Sequence, residues 1–83
     1  MGARARLPEM LASMSRSELE NVIYESALHH DDDLIARRYI VDKWAQADIA
    51  AELGWTRSTV GNHVIMILQR ASDVAKRINI NHT

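Results

Sequence analysis

Within six residues the chain carries Arg57, Ser58, Thr59 and Asn62, four side chains suited to hydrogen-bonding a nucleic acid. An arginine fork matches the O6 and N7 acceptors of guanine. An asparagine amide pairs bidentately with adenine or bonds a phosphate, and the two hydroxyls can bond either base or phosphate. A second polar run, His29-His30-Asp31-Asp32-Asp33, offers possible ligands for zinc or manganese. Neighbouring residues point in different directions, and no second His or Cys cluster stands at a ligand spacing. The expectation is therefore no metal and no cofactor; the aspartates instead suit the positive N-terminal end of a helix. No Ser–His–Asp or Cys–His arrangement, Gly-rich phosphate loop or His-x-x-x-His pair is found, so no catalytic residue and no enzyme is expected.

The elements that must position the first set are legible. Gln46 to Leu53 has a helical pattern that Gly54 interrupts, and a second pattern opens at Arg57. Gly54 supplies the backbone freedom of a tight turn, and Thr56 can cap the second helix. Ile49 and Leu53, like Val60 and Val64, are four apart and share a helix face; Ala50 is small where two helices must cross. Two short helices joined by a turn with a glycine form the helix-turn-helix arrangement, whose second helix enters the major groove. With Val60 and Val64 inward, steps of about 100° place Ser58, Asn62, Ile65 and Gln69 outward. The expected base contacts are Arg57, Ser58, Thr59, Gly61 and Asn62, with Gly61 letting the helix sit close to the duplex. Expected phosphate contacts are Gln46, at the start of the first helix, together with Arg38, Gln69 and Arg70. His63 is expected toward the buried side.

Ile49-Ala50-Ala51-Glu52-Leu53-Gly54-Trp55-Thr56-Arg57-Ser58-Thr59-Val60, completed by Val64, resembles the helix-turn-helix of sigma-factor region 4 and of LuxR-type regulators. Thr59-Val60-Gly61-Asn62-His63-Val64 is especially similar to the LuxR-type recognition helix. The clear match covers about 30 of the 83 residues, and a looser one reaches back to Asp31. The resemblance implies the fold and DNA binding, not the DNA sequence read. It also implies that Tyr39 and Trp44, in the helix before the motif, support the two DNA-binding helices as core residues. Two departures stand out: Ala45 occupies the usual Ser or Thr cap, and only one arginine lies near the start of the reading helix.

At 83 residues the chain is expected to be one domain with a modest core. It lacks cysteine, hence disulfides and thiolate metal sites, which fits a cytoplasmic location; no run approaches membrane-spanning length. The formal net charge of −1 is unusual for a nucleic-acid binder, but its distribution is uneven. Leu7 to Glu52 holds ten acids against four bases; Leu53 to Thr83 holds Asp73 against Arg57, Arg70, Lys76 and Arg77, a net +3. The positive end is the one a DNA-facing helix requires.

In chain order, residues 1–6 form an expected arm, with Arg4 and Arg6 able to touch phosphate. Leu7, Met10, Leu11 and Met14 have amphipathic helical spacing, with Pro8 in the first turn. Ser15-Arg16-Ser17-Glu18 is a capping box opening a helix to about His29, with Leu19, Val22, Ile23 and Ala27 inward. A third helix is expected from Leu34 to about Lys43, burying Ile35 and Tyr39. The run Val64-Ile65-Met66-Ile67-Leu68 is apolar nearly all round, and the pattern continues to Ile78 and Ile80. A helix apolar on several sides is buried on several sides, so Ile65, Met66, Ile67, Val74 and Ile78 are expected to form a homodimer interface.

The fold expected is all-α, a small bundle of about five helices containing a helix-turn-helix and a long C-terminal recognition helix. Residues 7–30 form the N-terminal helices, 31–72 the sigma-region-4-like core and 73–83 the helix end and tail. The expected function is sequence-specific binding of double-stranded DNA by a homodimeric transcriptional regulator, of phage or mobile-element type. A chain of this length is expected to have no room for a sensing domain and to lack the other regions of a complete sigma factor. Two alternatives stay open: a protein-interaction module binding RNA polymerase or another regulator, and a DNA-packaging or recombination accessory.

Overall fold

The structure is a computed structural model that describes residues 6–81, with side chains described through Ile78; the arm residues before Arg6 and the side chain of Ile80 lie outside them. The described residues form an all-α bundle: α1 (Glu9–Ala12), α2 (Arg16–Glu25), α3 (His30–Ala36) running on into a π turn (Arg37–Val41), α4 (Gln46–Leu53) and α5 (Arg57–Asn81). At 25 residues, α5 is ~37 Å long at 1.5 Å per residue. The other helices pack along it or against one another. Among the described residues, no helix is long and apolar enough to cross a membrane.

The first amphipathic stretch forms only one turn, α1. Its Leu11 is fully buried, while Leu7, Met10 and Met14 pack on the edge of the core. The Ser13 hydroxyl donates to the Met10 carbonyl at 3.0 Å, turning the chain toward the Ser15 capping box. That box forms on both sides: Glu18 N–H donates to Ser15 Oγ at 3.2 Å, and Ser15 N–H donates to Glu18 Oε1 at 2.8 Å. The Ser15 backbone N–H, helped by its hydroxyl, holds the Glu18 carboxyl below the usual glutamate range. The unfolded chain thus takes up this proton first as the pH falls, so the contribution to stability is present above the unfolded pKa. It is lost as pH drops through the lower, folded value. The expected result is that Glu18→Gln flattens the acid limb of the thermal-unfolding profile in that window, leaving the neutral limb nearly unchanged. An acid limb with unaltered slope would exclude the linkage.

α2 ends at Glu25, not near His29. Ser26 is fully buried, and its hydroxyl donates to the Val22 carbonyl at 2.7 Å, a side-chain bond that competes with helix continuation. Ala27 then takes φ +50, the left-handed conformation that stops helices. It is exposed, so Ser26 rather than Ala27 completes the inward stripe of Leu19, Val22 and Ile23. α3 begins at His30, four residues before Leu34, because Asp31, Asp32 and Asp33 occupy its first turn and favour its positive end. Nothing in the residue types announces the π turn that follows, where Asp42 N–H reaches back to the Arg37 carbonyl at 3.0 Å. Lys43 exits it at φ +63, its Nζ donating to the Ile40 carbonyl.

The core joins all five helices: Leu11, Ile23, Ile35, Ile40, Ile49 and Val60 are its largest fully buried apolar side chains. Tyr39 is buried and Trp44 packs at the core edge. The apolar girth of α5 is covered largely within one chain. Ile67 and Val74 are each 3 % exposed, because α1, α2 and α3 all pack on α5, and Ile78 is half-buried. As residues of an interface between chains, Ile67 and Val74 are therefore corrected to internal core residues. Ile65 and Met66 remain 67 % and 72 % exposed.

Candidate nucleic-acid interface

α4 and α5 are joined by a turn whose geometry follows from three residues. Gly54 sits at φ 71, ψ 27, left-handed, where a side chain is disfavoured. Trp55 N–H closes the end of α4 on the Ala50 carbonyl at 3.0 Å. Thr56 Oγ1 accepts from Thr59 N–H at 3.2 Å and lies 2.8 Å from Thr59 Oγ1, capping α5. Ala45 precedes α4 without a side-chain cap. Ile49, Val60 and Val64 are buried between the helices, so the rotation of α5 is set by packing.

That rotation leaves Arg57, Ser58, Thr59, Asn62 and Gln69 exposed. The ion pairs among the described residues use Arg16, Arg37 and Arg38; Arg57 is in none of them. The Thr59 hydroxyl lies 2.8 Å from Thr56 Oγ1 and keeps acceptor capacity beyond that contact.

Two expected contacts, Gly61 and Arg38, are placed elsewhere by the structure. Gly61 faces α4: a Cβ built on it would stand 3.0 Å from Gln46 Oε1. Its smallness accommodates the half-buried Gln46, not a duplex, and Gln46 in turn stands beside the first turns of α5. Because the neighbour is the movable end of a side chain, Gly61→Ala is expected to raise stability by about 0.5–1 kcal/mol through helix propensity, read as a higher urea midpoint. A lower midpoint would mean that Gln46 cannot give way. Arg38 bonds Glu52 at 3.1 Å and Asp42 at 3.3 Å, and its guanidinium lies 4.8 Å from the Trp44 ring centroid. Glu52 first, then Asp42, hold it still more firmly protonated. It ties the π turn to α4 and is not free for phosphate. Arg70 is exposed, but its Nε donates to the Ser26 carbonyl at 2.8 Å, meeting an acceptor that the end of α2 leaves open.

His63 carries more than its expected partial packing. Its Nδ1 is 2.7 Å from Asp32 Oδ1, and its ring centroid is 5.1 Å from that of Trp55. It thus links α3, the turn and α5 just below the exposed strip. A separation of 31 residues gave no local pattern by which this contact could be read. The His29–Asp33 run does not converge: Asp33 pairs with Arg37 at 2.8 Å, Asp32 with His63, and Asp31 is exposed. Among the described residues no group of three or more His, Cys, Asp or Glu could hold a metal ion. In comparisons with family models, curated proteins and solved structures, nothing matches this chain.

Proposed function

We propose that the chain is a sequence-specific binder of double-stranded DNA that acts as a transcriptional regulator, reading the major groove with the first turns of α5. The observation that carries this is the strip Arg57, Ser58 and Asn62. It is exposed on a helix whose opposite side is locked by Val60 and Val64, and its arginine forms no ion pair among the described residues. Recognition requires donors held rigidly at the end of a helix that enters the groove; Arg57 supplies the charge at this end, while Arg70, Lys76 and Arg77 lie farther along α5. The Ile49–Val64 pattern, with its resemblance to sigma region 4 and LuxR-type regulators, supports the same reading. A phosphate role fits Gln46 and Gln69 better than Arg38, whose charge is internally matched.

Iterative selection from a random duplex library tests the sequence specificity. A single enriched motif that Arg57→Ala no longer enriches is the expected outcome; no enrichment over many rounds would contradict it. A second reading has its own support. Ile65 and Met66 are large apolar side chains in water on the same helix, a feature of protein-binding surfaces, and RNA polymerase or another regulator would be the partner class. Under that reading Arg57, Ser58 and Asn62 can be replaced without loss of function.

A further inference from the structure

We infer that the cleft between the α2–α3 connection and α5 is a self-complementary surface that binds a second copy of this chain. The inference goes beyond the DNA-binding reading and does not depend on it. The cleft has a volume of about 260 Å³ and is lined by Leu28, His29, Asp32, Met66 and Arg70, among others. Engineered cavities of about 150 Å³ already accept a benzene ring, so this one is ample for a methionine side chain. Met66 borders the cleft while being 72 % exposed. The same patch therefore carries both a flexible apolar knob and a hollow to receive one.

Its charges have the same property. Arg70 and Asp32 line one cleft without pairing with each other: Arg70 Nε bonds the Ser26 carbonyl, and Asp32 Oδ1 bonds His63. A guanidinium has five donors and a carboxylate two acceptor oxygens, so each keeps capacity for a partner of opposite charge. A two-fold interface requires every contact to occur twice with its roles exchanged. Met66 entering the cleft of the other copy, with Arg70 meeting Asp32 of the partner subunit, meets that requirement in both contacts. Methionine and arginine are also the residue types enriched at interface centres. A different protein would need neither knob with hollow nor cation with anion on one patch, which is why a second copy is the occupant argued for.

Sedimentation velocity of the full chain without DNA tests this, and its failure leaves the DNA reading untouched. The wild type is expected at twice the chain mass of 9.4 kDa. Met66→Lys is expected to raise the dimer dissociation constant about thirty-fold or more with unchanged helical circular dichroism, while Met66→Leu stays dimeric. Ile65→Lys, about 100° round the helix, is expected to leave the dimer intact. The chain has no cysteine, so mixing a Met66→Cys chain with a His29→Cys chain under mild oxidation should give mainly the mixed disulfide dimer. A folded wild type that stays monomeric at the highest attainable concentration overturns the proposal. So does a Met66→Lys variant that remains as dimeric as the wild type.

Discussion

Ile67→Asp is expected to unfold the protein at room temperature, with the helical signal at 222 nm lost and no cooperative melting transition. Ile67 is 3 % exposed, on the side of α5 covered by the N-terminal helices. Truncating a buried isoleucine typically costs 2–5 kcal/mol. The carboxylate adds the penalty of an unpartnered buried charge. At about 0.05–0.15 kcal/mol per residue, a chain of this length has a total stability on the order of 4–12 kcal/mol, so the one change removes most of it. Had Ile67 belonged to an interface between chains, the variant would be a folded, helical monomer, and that result would falsify its placement in the core. Ile65→Asp is the internal control: 67 % exposed, it should melt close to the wild type.

Arg57→Ala is expected to do the opposite, leaving stability within about 0.5 kcal/mol while weakening binding to the selected duplex by about 1–3 kcal/mol, or roughly five- to 150-fold. Stability is spared because the side chain is exposed and joins no ion pair among the described residues. The base reading requires the loss to be concentrated on the preferred sequence. A loss equal on all sequences would put Arg57 on phosphate, and no loss on any would move the active surface to Ile65 and Met66.

The features that could be read from the sequence are those in which cause and effect lie within a few residues. The Ser15–Glu18 box, the left-handed Gly54, the Thr56 cap and the inward pairs around Ile49 and Val60 each depend on one turn of chain, and the structure holds all of them. The outward rotation of Ser58, Asn62 and Gln69 followed from the same periodicity. What could not be read was which distant element meets a given side chain. Arg38 finds Glu52 across 14 residues and Arg70 finds Ser26 across 44, so two arginines that look free on a helix wheel each have a distant partner, Arg70 through its Nε alone. The girth of apolar residues on α5 showed that several sides are covered without showing by what. Ile67 and Val74 are covered by α1–α3 of their own chain, which only the tertiary arrangement reveals. Gly61 has two physical uses, close approach to a duplex or to a neighbouring helix, and only the position of Gln46 decides between them.

In the proposed function, the exposed strip at the start of α5 meets DNA. Fluorescence anisotropy at low and moderate salt, with a labelled duplex that carries the motif enriched by selection, tests this by comparing the wild type with the Arg57→Ala/Asn62→Ala variant. Wild-type binding is expected to fall steeply as salt rises, since phosphate contacts release counterions, and the variant is expected to bind clearly more weakly at both salt concentrations. No binding by the folded wild type at low salt, or equal binding by the two proteins, would contradict it.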